Sequence, residues 1–136
     1  MKEAKANVVP NAILLKSRVL FDGGYYQKVL DLLTKNENHI SNNPTYKIEF
    51  NYRKGRVLQS LKKYNDAIPY LQVAVKNSSS SSYFGANSSL QLGLIYEEMG
   101  DKKSSKSYFQ TCLDMNPSEY KNSIHQKAKS GLLRVQ

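Results

Sequence analysis

Apolar residues along this chain recur every three or four positions, in blocks broken by glycine, asparagine, proline and serine. That spacing is the mark of amphipathic helices rather than strands, whose period is two. Seven helices are predicted. The first runs from about Pro10 to Asp22, with Ile13, Leu14, Val19, Leu20 and Phe21 apolar, and stops at Gly23-Gly24. The second runs from about Tyr25 to Asn36 with Val29, Leu30, Leu32 and Leu33 inward, and a polar connection follows to Asn43. Asn43 reads as an N-cap and Pro44 as the first residue of a third helix reaching Leu61. Lys62-Lys63 turns the chain into a fourth helix from Tyr64 to Asn77, with Pro69 near its first turn, where proline is tolerated. A fifth runs from Tyr83 to Met99 and ends at Gly100. A sixth is capped by Asp101 and reaches Met115. Asn116, Pro117 and Glu119 read as N-cap, N1 and N3 of a capping box opening a seventh helix to Val135.

The blocks are also periodic among themselves. Ser17, Gly55, Gly93 and Gly131 stand 38 positions apart, each inside an apolar helix (Ser17-Arg18-Val19-Leu20, Gly55-Arg56-Val57-Leu58, Gly93-Leu94-Ile95-Tyr96, Gly131-Leu132-Leu133). A repeat of this length is the signature of stacked two-helix units. A glycine inside a helix costs about 1 kcal/mol against alanine and is tolerated where a neighbouring helix packs too close for a side chain. Ala67 and Ala74 read as the matching small residues on the facing helix. The five serines from Ser78 to Ser82 could be a flexible or modified linker. The period runs through them undisturbed, which favours an ordinary loop between units.

These units resemble the tetratricopeptide repeat. The stretch from Ala86 to Glu119 fits best, through Leu92, Gly93, Tyr96, Gly100, Ser105, Phe109, Cys112 and Pro117. The stretch from Ile48 to Ser81 offers Gly55, Leu58, Tyr64, Ala67, Leu71 and Ala74. The stretch from Pro10 to Asn43 offers Ser17, Leu20, Gly24, Tyr26, Val29 and Leu33, but Asn36 stands where a small residue is usual. The resemblance implies an all-α fold, a right-handed α-α superhelix of three helical hairpins plus a C-terminal helix. It implies one repeat domain over 1–136, with repeats at about 10–43, 48–81 and 86–119 and a terminal helix at about 117–135. The period departs from the family's usual length of about 34 residues. The register puts the extra residues around His39 to Asn43 and Ser78 to Ser82, as longer helices or loops on one edge.

Charge bears on partners. The net charge of +9 favours acidic partners, nucleic acid included, although a lysine-rich surface can serve solubility alone. Cys112 is the single cysteine, so no internal disulfide or zinc cluster is expected. No apolar run approaches the ~20 residues that span a bilayer. The charged start, Met-Lys-Glu-Ala-Lys-Ala-Asn, lacks a leader's apolar stretch, so a soluble, cytoplasmic chain is expected.

No catalytic constellation stands out, and no cofactor or metal is expected. His39 and His125 lie far apart without a ligand pattern, and surface histidine is the default reading. Cys112 falls at a small core position, where cysteine acts as a compact hydrophobe. Glu97 and Glu98 point about 100° apart on a helix and cannot share a proton. Gly23-Gly24 lacks the spacing of a phosphate loop. Of the ten tyrosines, Tyr64 and Tyr96 fall at core positions, as does Phe109, while Tyr83, Tyr108 and Tyr120 have no clear place.

The family's ligands commonly lie in the groove lined by the first helix of each unit. By register that groove would be lined by Leu14, Arg18, Tyr52, Arg53, Arg56, Gln59, Asn87, Leu90, Gln91 and Leu94. Its arginine end and leucine end would suit a peptide with carboxylates and apolar anchors. Equally, the arginines could be merely solvated and the leucines packed on the next helix. Leu14, Arg18 and Arg53 stand where the family's two-carboxylate clamp needs lysine and asparagine, so that partner is not implied. The terminal helix, with Leu132, Leu133 and Val135 among Lys121, Lys127, Lys129 and Arg134, is either a cap or an open end able to pair with another copy. The leading expectation is a non-enzymatic scaffold binding a peptide or protein segment. The alternatives are a basic surface for nucleic acid, or a regulatory segment of a larger signalling or transcription protein.

Overall fold

The computed structural model describes residues 11–136. Pro10, where the first helix and first unit were expected to begin, lies outside the described residues, as does the charged start. Among the described residues there are eight helices and no strand: α1 (Ala12–Asp22), α2 (Tyr26–Lys35), α3 (Glu37–Ile40), α4 (Lys47–Ser60), α5 (Tyr64–Asn77), α6 (Tyr83–Glu98), α7 (Lys102–Asp114) and α8 (Lys121–Arg134). Each helix packs on the next in chain order, apart from α3, which is a single turn between α2 and α4. In addition α4 packs on α1, α2 and α6, and α6 on α8.

The periodic small residues set the spacing of this stack. A Cβ added to Gly55 would lie 2.5 Å from the Leu71 side chain, and one on Gly93 would lie 2.5 Å from the Phe109 ring. Real carbon atoms do not approach so closely, so the packing demands glycine. Leu71 and Phe109 follow their glycines by sixteen positions, and Leu33 follows Ser17 by the same interval. All three are fully buried. Gly131 breaks the pattern in an informative way. It too sits against Phe109, so one ring lies between two glycines, its own unit's and the next helix's.

That contact reveals how α8 is rolled. Val57 and Ile95 are buried among residues of the preceding unit. Their counterpart Leu133, another 38 positions on, is 72% exposed. Instead α8 turns inward the face carrying Ile124, Ala128, Gly131 and Val135. It packs on α6 and α7 with the face that earlier helices offer to their own hairpin partner.

The hairpin turns also follow the register. Gly24 (φ 83°), Lys62 (φ 62°) and Gly100 (φ 85°) are 38 positions apart, and all are left-handed. Two units use glycine there and the second carries lysine. The expected cap Asp101 accepts the Ser104 N–H (3.0 Å), and Ser82, read only as part of the serine run, caps α6 by accepting the Gly85 N–H (3.1 Å). That bond from Ser104 holds the Asp101 carboxyl below its usual range.

Three expected boundaries move. The connection from Asn36 to Asn43 contains α3, because Asn36 interrupts α2: its side-chain amide donates to the Leu32 carbonyl (2.9 Å) where Ala74 and Cys112 continue the later helices. Ile40 of α3 is then buried in the core. Pro44 lies in a turn rather than in the helix. Asn43 accepts the Thr45 N–H (2.9 Å) and caps that turn, so α4 begins only at Lys47. The capping box at Asn116, Pro117 and Glu119 does not form. The Asn116 N–H donates to the Ser80 carbonyl (2.7 Å) and that of Ser118 to Ser81 (3.1 Å), which holds the segment extended. Only after Tyr120, itself left-handed at φ 57°, does α8 start. The serine run is therefore an ordered loop, laced to the loop of the following unit.

Candidate functional site

The first helices of the hairpins, α1, α4 and α6, share a register, and its columns sort cleanly into core and surface. Leu14, Tyr52, Leu90 and Ala128 form one column, buried throughout. Arg18, Arg56, Leu94 and Leu132 form another, open or half-open to solvent, and it reads cation, cation, apolar, apolar along the stack. Beside the two cations lies a groove of about 520 Å³. Its walls are Ser17, Arg18, Phe21 and Asp22 of α1, Val29 of α2, Tyr52, Arg53 and Arg56 of α4, Tyr83 and Phe84 of α6, and Glu119 and Tyr120 from the loop before α8.

The arginines differ in their engagement. Arg53 donates through Nε to Glu49 (2.7 Å), and its guanidinium lies 5.9 Å from the Tyr52 ring and 5.7 Å from that of Phe84. Arg56 stacks 5.4 Å from the Phe21 ring and makes only a long bond to the Tyr52 hydroxyl (3.4 Å). Its Nε is buried without a partner. Among the described residues, neither Arg18 nor Arg56 has a carboxylate partner. An aromatic cluster fills the far wall: Tyr52 against Phe84 (5.1 Å), Phe84 against Tyr83 (5.6 Å) and Tyr83 against Tyr120 (5.6 Å).

Behind the groove a polar ladder ties α4 to α6. Gln59 donates to Gln91 (2.8 Å), Gln91 to Asn87 (3.2 Å), and Asn87 to the hydroxyls of Tyr52 (2.7 Å) and Tyr83 (3.3 Å). Burial, reinforced by the neighbouring Tyr52, pushes the Tyr83 hydroxyl far up, so it stays a neutral donor and acceptor.

Of the ten residues expected in the groove, Arg18, Tyr52, Arg53 and Arg56 line it. Leu14 and Leu90 do not: each is 1% exposed and packed in the core. Both lie in the hydrophobic core, whereas Tyr52 in the same column reaches the groove. Leu94 is half-buried against the α6–α8 core. Asn87, Gln59 and Gln91 are engaged in the ladder. Sequence reasoning missed Phe21, Asp22, Tyr83, Phe84, Glu119 and Tyr120. The adjacent Tyr83-Phe84 pair at the start of α6 was the available signal. Tyr120 was hidden by the capping-box reading, which placed it inside a helix.

Elsewhere, His39 is exposed on α3, and the His125 ring bonds the Met115 carbonyl (3.0 Å). Cys112 is buried, and burial pushes its thiol up to about 12, away from reactive thiolate. Glu97 is clamped by Arg134 through two bonds (2.6 and 2.9 Å). Among the described residues no cluster of His, Cys, Asp and Glu could hold a metal.

A stack of helical hairpins spaced by periodic small residues defines a helical-repeat protein. The profile of the tetratricopeptide repeat matches residues 48–80 and 86–119, the second and third hairpins, and the chain belongs to that family. No curated protein matches the chain as a relative. Tetratricopeptide repeats are generally scaffolds for protein–protein interaction and are typically non-enzymatic. No helix among the described residues is long and apolar enough to cross a membrane.

Proposed function

We propose that residues 11–136 work as one repeat domain, with the first hairpin as a further unit, and that its groove binds an acidic peptide segment of a partner protein. The observation that carries this is the state of Arg56. Its guanidinium is held against Phe21, and its Nε is shielded from water without an acceptor. The guanidinium lines the groove and its Nη1 makes only the 3.4 Å bond to the Tyr52 hydroxyl, so its outer donors remain for an arriving carboxylate. Arg18, one register step away, lines the same groove and has no carboxylate partner among the described residues. Arg53 is neutralised by Glu49 and acts through its stacking instead.

Nucleic acid is the weaker reading. Binding a strand takes a row of open ring faces, and in this groove the rings of Tyr52 and Phe84 carry Arg53, which leaves Tyr83 and Tyr120.

The test uses a fluorescein-labelled glutamate-containing peptide and fluorescence anisotropy. Arg18→Glu with Arg56→Glu should weaken binding at least tenfold while the melting temperature changes little. Unchanged affinity in the double variant rejects the groove. Tighter binding of a labelled single-stranded oligonucleotide at physiological salt, displaced by neither peptide nor protein segment, favours the nucleic-acid reading.

A further inference from the structure

Tyr120 is an exposed aromatic residue in a backbone conformation that disfavours it. Its φ of 57° is left-handed, which costs an L-residue roughly 1–2 kcal/mol. Burial does not compensate, since the residue is 69% exposed. The segment leading to it is nevertheless firmly held. Its backbone bonds to Ser80 and Ser81 fix the approach, Pro117 is buried, and the Tyr120 carbonyl accepts the Ile124 N–H (2.9 Å). The scaffold thus fixes one aromatic ring at the mouth of the groove, 5.6 Å from Tyr83. Strain that is maintained at a site rather than relieved is a mark of pre-organisation.

We infer that Tyr120, with Tyr83, forms a shelf that receives one large apolar or aromatic side chain of the peptide whose acidic side chain sits on Arg18 and Arg56. This rests on the groove reading above and specifies its ligand: a segment with one acid and one aromatic residue. The apolar element is then read by this shelf and not by the leucines of the helix register, which are buried or half-buried. Tyrosine suits the task, because a rigid ring offers large contact area with few torsions to freeze. The shelf also carries a rejection element. Glu119 stands beside Tyr120 on the groove wall, so a second carboxylate next to the aromatic residue meets like charge. The favoured ligand keeps its acid and its aromatic residue apart.

The experiment is a two-by-two comparison by anisotropy. Labelled glycine-serine peptides carry one glutamate and one phenylalanine at a series of separations, or glutamate alone. The peptide with both should bind about tenfold tighter than glutamate alone at its best separation. Tyr120→Ala should remove most of that advantage and leave the glutamate-only peptide unchanged. Tyr120→Gly accepts the left-handed backbone without strain, so it keeps the fold and should lose the advantage as well, whereas Tyr120→Phe should retain it. If binding depends on Arg56 but Tyr120→Ala and Tyr120→Gly leave the preference for phenylalanine intact, the shelf is wrong and the groove survives. If no glutamate peptide binds the unaltered protein, groove and shelf fall together.

Discussion

The helix after the turn runs for 14 residues in the second hairpin and 13 in the third, but stops after 10 in the first. The register is the same, and one column accounts for the difference. Ala74 and Cys112 are buried small residues that let their helices run on against the core. Asn36 is polar, bonds back to Leu32, and ends α2. The chain then makes α3, which returns Ile40 to the core and carries Glu37 to Lys54 of α4 (2.5 Å). A unit that loses its regular packing residue thus gains a half-buried ion pair. The matched family profile covers only the two regular hairpins, as this departure would lead one to expect.

The largest expected effect lies in the regular part. Gly93→Leu forces a side chain into the Phe109 ring and should destabilise by about 3 kcal/mol or more. Ser17→Ala at the same register of the first hairpin should change stability by about 1 kcal/mol or less, since only a hydroxyl bond to the Leu14 carbonyl (2.8 Å) is lost. Denaturant unfolding measures both. Equal losses would erase the distinction between the hairpins.

The ion pair gives the next effect. Burial alone would lower the Lys54 ammonium, but Glu37 and Tyr70 beside it outweigh that, and its pKa stands above the usual 10.5. Glu37→Ala leaves Lys54 buried with Tyr70 but without its carboxylate. It should cost about 1–2 kcal/mol, discounted because Glu37 is partly exposed. A raised lysine pKa stabilises fully below the unfolded value and loses that contribution as pH rises through the folded one. The deficit should therefore hold from neutral pH to about pH 10 and shrink above 10.5. A deficit insensitive to alkaline pH would assign it to packing instead.

The smallest effect concerns the turns. Lys62 adopts the left-handed conformation that Gly24 and Gly100 adopt freely. Lys62→Gly should therefore stabilise the second hairpin by about 0.5–1 kcal/mol, and Gly100→Ala should destabilise the third by a similar amount. A Lys62→Gly variant that melts earlier would show that the lysine side chain matters more than its backbone.

These contrasts also explain what was readable in advance. Gly55 and Gly93 announced close helix contacts because nothing else justifies glycine inside a helix, and the architecture followed. The groove was half legible. Arg18, Arg53 and Arg56 lie on the open columns, but Leu14 and Leu90 share a column with Tyr52 and Ala128 that turns to the core. A helix register of this kind does not separate the two by residue type. Tyr120 was illegible for another reason: its place depends on the backbone of Ser80 and Ser81, some forty residues earlier, which local capping signals do not encode. The roll of α8 depends likewise on the Phe109 ring of α7, against which Gly131 packs.

The central claim is that each periodic glycine is the space occupied by a particular large side chain of the facing helix. A double-mutant cycle on Gly93→Ala and Phe109→Ala tests it most directly. Measured by denaturant unfolding, Gly93→Ala should be milder by at least about 1 kcal/mol when the ring has been removed. The same penalty in both backgrounds would contradict the account.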